Sequence, residues 1–239
     1  MRIILLFASA SFIFTSCNKY QYYTLSSDQL QHDEKRQLVG ENDSLRITYN
    51  FSGRSGPIKI SVYNKMDQPV EIDWKKSAMI IADSAISFFD PAMTITGELD
   101  RTRYSIYQNI TGTVSPPEAI DFIPPKSSIT KQKIFVRDKW EKIETENSMK
   151  VKNQGHRIHY IFSKSNSPMI FRTYLTFLTG NKSFEVEHQF YASEITEKSH
   201  DNFENSAGNQ FYIKGKTDVG KLSVVIFTVS LTVLLIAAL

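Results

Sequence analysis

The stretch Leu45-Arg46-Ile47-Thr48-Tyr49-Asn50-Phe51, "LRITYNF", decides the fold. Its apolar residues Leu45, Ile47, Tyr49 and Phe51 alternate with polar Arg46, Thr48 and Asn50. That period of two is the signature of a strand with one face in a core and one in water. Ser52-Gly53-Arg54-Ser55-Gly56-Pro57 then reads as a turn. Ile58, Ile60 and Val62 repeat the alternation, Asn64-Lys65-Met66-Asp67-Gln68-Pro69 turns again, and Val70, Ile72 and Trp74 form a third strand.

The pattern continues along the chain. Met79 to Ile81, Ile86 to Phe89, Thr94 to Thr96, Arg103 to Tyr107 and Thr130 to Val136 are further strand candidates. Ile158, Tyr160 and Phe162 alternate. Phe171 to Leu178 and Ser183 to Ile195 flank Thr179-Gly180-Asn181-Lys182, a connection suited to a hairpin. In the second of these, Phe184, Val186, His188 and Phe190 face one way, and Glu185, Glu187 and Gln189 the other. Phe211 to Ile213 is a last short strand. Residues 139–152 hold enough Glu and Lys for a short helix but carry a thin apolar stripe, so a charged loop is the equal alternative. Many short strands separated by turns predict an all-β sandwich over 44–216. Composition agrees: of 239 residues, 41% are hydrophobic and 12% aromatic, with Phe 16 and Tyr 11. Aromatic residues suit pleated, half-buried surfaces.

Outside this domain the chain changes character. Met1-Arg2 gives a positive start, and 3–14 is an apolar run of about a dozen residues, the length of a signal-peptide core and short for a membrane span. Phe14-Thr15-Ser16-Cys17 follows and contains the only cysteine of the chain. This resembles a bacterial lipoprotein signal with its lipobox. Phe14 stands where Leu is usual, and its apolar ring suits the same slot. The resemblance implies cleavage after residue 16 and acylation of Cys17. Each buried CH₂ contributes about 0.8 kcal/mol, so two or three chains anchor stably where one does not. A free cysteine inside an ordinary signal peptide is the alternative. A catalytic thiol needs a cleft and a basic partner, which a leader does not supply. Residues 17–43 are polar, without sustained periodicity, and are expected to form the lipidated N-terminus and a tether. At the other end 222–239, "LSVVIFTVSLTVLLIAAL", carries no charge. As a helix it is roughly 27 Å long, enough to cross a bilayer. Lys214, Lys216 and Lys221 before it favour the cytoplasm, but the leader exports the domain. The expected location is therefore the bacterial cell envelope, with the domain facing the periplasm.

Two blocks, "ISVYNKMDQPVEIDWKKS" and "FIPPKSSI", resemble a pattern in small bacterial lipoproteins with an immunoglobulin-like sandwich, through Asn64, Pro69, Asp73, Trp74, Ser77 and Pro124-Pro125. "KSNSPMIFRTYLTF", "FEVEHQFYASEIT" and "NQFYIKG", with the Cys17-Asn18-Lys19-Tyr20-Gln21-Tyr22-Tyr23 start, are similar to an uncharacterised lipoprotein family of Bacteroidetes. The resemblance implies an immunoglobulin-like fold and anchoring, and brings no catalytic residue. Read alone, Trp74 is a core aromatic, Asp73 and Ser77 bond local backbone, and Pro124-Pro125 ends a ladder.

Chemistry-bearing motifs are absent. The five histidines are His32, His156, His159, His188 and His200. His156 and His159 fall on opposite faces of a strand, and His188 points away from Glu185 and Glu187, so no metal site is expected. HExxH, CxxC, G-x-S-x-G and phosphate-loop patterns do not occur, and no cofactor is expected. The net charge of +3 is spread along the chain, which argues against a nucleic-acid partner. Asp43-Ser44-Leu45 and Asp83-Ser84-Ala85 resemble an O-glycan acceptor motif of Bacteroidetes, a pattern short enough to arise by chance. The expected function is non-catalytic: a binding or scaffolding module held to the bilayer through Cys17 and 222–239, with an envelope protein as partner. The alternatives are a hydrolase using Glu98 and Asp100 or Glu185 and Glu187, and a glycan-binding or adhesion module marked by exposed Tyr104, Tyr107 or Tyr174.

Overall fold

A computed structural model describes residues 18–91, 94–99, 110–115, 118–143, 150–154, 157–199 and 207–216. Sixteen strands run in chain order: β1 (Asn18–Ser26), β2 (Gln31–His32), β3 (Leu38–Glu41), β4 (Leu45–Asn50), β5 (Pro57–Asn64), β6 (Val70–Ile81), β7 (Ser84–Ser87), β8 (Thr94–Leu99), β9 (Ile110–Ser115), β10 (Ile120–Ile123), β11 (Ser128–Phe135), β12 (Lys150–Gln154), β13 (Arg157–Ile161), β14 (Ile170–Thr179), β15 (Lys182–Lys198) and β16 (Gln210–Lys216). A nine-stranded sheet has the order β10-β6-β14-β15-β1-β16, with β7 on β6, β13 on β15 and β12 on β13. A five-stranded sheet has the order β11-β5-β4-β3-β2, and β8 pairs with β9. Every strand pair is antiparallel. The described residues form an all-β sandwich of antiparallel sheets, as the alternation predicts.

The core lies between the two large sheets. From the smaller come Leu45, Ile47, Tyr49, Ile58, Ile60 and Val62, with Phe51 just beyond β4; from the larger come Tyr23, Leu25, Ile72, Trp74, Phe171, Phe177, Phe190 and Phe211, all buried. Rings meet across the interface. Phe51 packs edge-on against Phe171 and Phe190, at 5.9 and 5.3 Å between centroids, and Phe171 stacks on Phe190 at 5.0 Å. Such offset and edge contacts add to the burial term.

The motif residues of the third strand form a joint. β6 runs through Lys75 and Lys76 as one strand because it carries a bulge longer than the common one-residue type. Tyr174 is opposite Ala78 and Thr176 opposite Asp73, so Leu175 alone faces 74–77. The extra backbone groups find partners. Asp73 Oδ1 accepts from the Lys75 and Lys76 amides at 3.0 and 3.2 Å. The Ser77 hydroxyl donates to the Asp73 carbonyl at 2.6 Å and accepts the Thr176 amide at 3.0 Å. Beside it, buried Asp121 on β10 ties the sheets together. Its Oδ2 accepts the Trp74 indole N–H at 2.7 Å, and its Oδ1 lies 3.3 Å from the Lys131 ammonium on β11. Asn64 closes the same edge, its side-chain amide reaching the carbonyls of Gln68, Ile123 and Pro124. The seven motif residues are thus placed on structural duty, or beside it, around one edge of the sandwich.

Two expectations change. Residues 18–43 are not a tether: they contribute β1, β2 and β3, and β1 lies inside the larger sheet. Tyr23, Leu25, Leu30 and Leu38 belong to the buried core cluster and hold this segment, and Tyr20 and Gln21 are buried as well. Residues 139–143 are not helical, and Lys150–Gln154 is strand. Arg103 to Tyr107, the leader and 222–239 lie outside the described residues. No helix among the described residues is long and apolar enough to cross a membrane.

One polar contact crosses the core. The Tyr49 hydroxyl lies 2.9 Å from His188 Nδ1 and 3.0 Å from Thr173 Oγ1. Burial pushes the Tyr49 hydroxyl well above its ordinary pKa, so it stays protonated and can donate. Burial lowers the His188 imidazole to about 4 from 6.5, which keeps it neutral and able to accept. The sign of the linkage follows. The native state holds fewer protons here than the unfolded chain, so this stability is complete above pH 6.5 and is lost as pH falls towards about 4. Because the ring is only partly buried, the loss is about 2 kcal/mol. Urea midpoints measured from pH 7.5 to 4 are expected to fall, with a clearly flatter profile for His188→Gln; parallel profiles would show that His188 does not carry the effect.

Candidate functional site

The sequence points to the two ends of the chain, and the fold pairs the first described residue with the last. β1 begins at Asn18, the residue after Cys17, and Asn18 is opposite Lys216, the last residue of β16. Cys17 and 222–239 lie outside the described residues, yet the chain leaves towards both from neighbouring positions of one strand pair. β1 is paired on both sides, with β15 from Tyr20 to Ser26 and with β16 from Asn18 to Thr24.

Inside this end a polar group is fully enclosed. Gln21 is 0% exposed and faces the core beside Tyr23. Its amide donates to the Glu141 carbonyl at 2.8 Å and to Glu197 Oε1 at 3.0 Å. Its carbonyl accepts from the Tyr23 hydroxyl at 2.8 Å and the Glu141 amide at 3.0 Å. A glutamine side chain offers two donors and one acceptor oxygen with two lone pairs, so its capacity is filled. Burial raises the Glu197 carboxyl above its ordinary range, and the Gln21 hydrogen bond opposes that rise. Glu141 also pairs with Arg137. The segment 136–143 is therefore a plug over this end of the core. Its Val136 is buried, its Val136 and Arg137 amides donate to the Gly56 and Ser55 carbonyls, and its Trp140 ring lies on Gly215, where a β-carbon would meet it at 2.6 Å.

The other face of the same strands carries tyrosines and lysines, with Tyr20 buried and Tyr22, Tyr212 and Lys198 half-buried. Tyr22 is opposite Tyr212 on β16 and Thr196 on β15; Tyr20 is opposite Lys214 and Lys198. Tyr22 and Tyr212 stack with centroids 5.9 Å apart, and Tyr20 lies 6.3 Å from Tyr22. The Lys198 ammonium sits 3.9 Å from the Tyr22 ring centre, within cation–π range. The open edge of β16 is covered by the turn after β4: the Ser55 amide donates to the Tyr212 carbonyl, and the Tyr212 amide to the Gly53 carbonyl. That turn needs glycine at 56, where φ is +65° and a β-carbon would meet the Phe211 ring at 2.9 Å.

The other candidates are dispersed. Glu185 and Glu187 share the outer face of β15 and are exposed; Glu187 pairs with Arg172 at 3.1 Å. Tyr174 is half-buried on β14, opposite Glu187. Glu98 is on β8 opposite Thr111, while Asp100, Tyr104, Tyr107, His156 and His200 lie outside the described residues. His159 Nδ1 lies 2.7 Å from Glu194 Oε1. Ser44 and Ser84 precede or open strands. A shallow polar groove of about 220 Å³ is lined by residues including His32, Asp33 and Glu41. Its acids are engaged: Glu41 with Arg46 and Lys65, and Asp33 Oδ1 with two backbone amides. Among the described residues no three His, Cys, Asp or Glu gather as a metal site would require. The sequence matches no protein-family model and no curated protein.

Gln21, Arg137 and Trp140 were not singled out in the sequence. The readable signal for Gln21 was its place two residues before Tyr23 and four before Leu25, in step with a buried face. Gln21→Leu removes the partners of the Tyr23 hydroxyl and the Glu141 amide and is expected to lower unfolding stability by about 2–4 kcal/mol. Urea denaturation measures this; a change below about 0.5 kcal/mol would show that the buried network is dispensable.

Proposed function

We propose that this chain is a bacterial envelope lipoprotein, acylated on Cys17, whose immunoglobulin-like sandwich acts as a non-catalytic binding or scaffolding module at the periplasmic face of a membrane. The observation that carries this reading is the start of β1 directly after Cys17, beside the end of β16. Acyl chains on Cys17 and a helix at 222–239 would hold one end of the sandwich from two adjacent points. Such a domain has little freedom to search for distant ligands. It suits a subunit of a membrane assembly, with an envelope protein bound to its remaining surface. Glu185 and Glu187 lend no support to a hydrolytic reading, because both are exposed on β15 and Glu187 is paired with Arg172.

Labelling cells with a fatty-acid analogue, followed by membrane fractionation, tests the anchor. Wild type is expected to take up label and Cys17→Ala to lose it. A chain ending at Lys221 is expected to remain in membranes through Cys17 alone. Unlabelled wild type, with Cys17→Ala still exported and membrane-bound, would reassign 1–16 as an ordinary signal peptide and the protein as tail-held.

A further inference from the structure

We propose that the outer edge of β10 is a docking site for an extended segment of the envelope partner, one with apolar residues at alternate positions and lysine or arginine beside them. This rests on the scaffolding reading and names its contact surface.

Three observations support it. The first is the backbone. Among the described residues β10 ends the larger sheet on its side and pairs only with β6. The Trp74 amide donates to the Ala119 carbonyl at 2.8 Å, and the same register sets Asp121 opposite Ile72 and Ile123 opposite Val70. In an antiparallel ladder alternate residues bond across. Ala119, Asp121 and Ile123 therefore turn their amides and carbonyls to β6, and Ile120 and Phe122 turn theirs away. Among the described residues no backbone group pairs with these two. Such an edge is the template for an added strand. The second observation is the side chains. Ile120 is 48% and Phe122 57% exposed, and their spacing sets them on one face. By contrast, the edge of β16 is covered by the 53–55 turn, and β2 shows polar Gln31 and His32. Pro116-Pro117 and Pro124-Pro125 flank β10 in the sequence. Proline has no N–H to offer, so an incoming strand meets only 118–123. That length suits one short segment better than indiscriminate edge-to-edge pairing. The third is charge. Glu118 is exposed just before β10, and Glu71 is half-buried on β6 opposite Phe122. Neither holds an ion pair among the described residues. Asp121 faces inward and is paired with Lys131. Two acids flanking Ile120 and Phe122 complement a basic, apolar strand, whereas a second copy would set the same acids against them.

The test is amide hydrogen exchange on the full chain in micelles. The probe is the peptide acetyl-Lys-Val-Thr-Val-Thr-Lys-amide at millimolar concentration. Without it, the Ile120 and Phe122 amides are expected to exchange fast, and those of Asp121 and Ile123 slowly. With it, Ile120 and Phe122 are expected to slow about tenfold. Replacing the probe's lysines by glutamate is expected to weaken that protection about threefold per residue. Phe122→Pro removes an outward N–H and leaves the β6 ladder in place. It is expected to abolish protection at Ile120 while Asp121 and Ile123 stay slow. Phe122→Thr keeps the backbone donor and is expected to retain protection, weakened about threefold. Exchange at 120 and 122 that the probe leaves unchanged would overturn the docking edge. Slow exchange there without the probe would also overturn it, in favour of a second copy if it depends on protein concentration, and of cover by another part of the chain if it does not. Equal protection by the glutamate peptide would overturn the basic partner. Fatty-acid labelling reports separately on the lipoprotein reading: an unlabelled chain whose edge binds the probe would lose the anchor and keep this surface.

Discussion

β1 is hydrogen-bonded along both edges, and the arrangement of this protein depends on that constraint. An edge strand can peel away; a strand between β15 and β16 can leave only if two ladders break. The first nine described residues are thus locked into the larger sheet. The lock is set from inside by Gln21. A buried amide with four partners tolerates one position and one rotamer, since any slip leaves donors or acceptors unpaired. A one-residue shift of register would also place Tyr22 in the core and Tyr23 outside. The buried network therefore selects the register, and the register sets where the chain enters the fold.

From that entry the rest follows in order. β16 closes beside β1, so the route towards the C-terminus returns to the point of departure. The plug at 136–143 covers the core where the smaller sheet ends, and the 52–56 turn shields the outer edge of β16. At the opposite edge of the sheet, Asp121 and the bulge at 74–77 do comparable work by linking the two sheets through Trp74 and Lys131. Both ends of the sandwich use enclosed polar groups whose partners lie on different strands or loops. Such contacts add specificity more than net stability, because each carries a desolvation cost that its partners must offset.

Much of the fold was legible from alternation alone. β4 and β5 alternate cleanly as read, β15 alternates from Phe184 to Phe190, and His188 faces the core as its parity implied. Where the pattern broke, there was a physical reason. β1 was hidden because tyrosines lie on both of its faces and its innermost polar residue, Gln21, reads as exposed. β6 seemed to end at Trp74 because Lys75 and Lys76 occupy a bulge, whose backbone is satisfied by side chains that alternation does not register. β10 inverts the usual rule, burying Asp121 between exposed Ile120 and Phe122. The candidate site was legible only as two separate termini; that the start of β1 adjoins the end of β16 is a matter of strand order, which local pattern does not encode.

The most direct test of this account is hydrogen exchange on the full chain in membranes, followed at the β1 amides and compared with those of β4. A strand held on both edges opens only with the global fold. The account predicts that amides from Tyr20 to Leu25 exchange as slowly as those from Ile47 to Tyr49. Exchange across Tyr20 to Leu25 at the rate of an unstructured chain would contradict it, restoring a flexible tether between Cys17 and the sandwich.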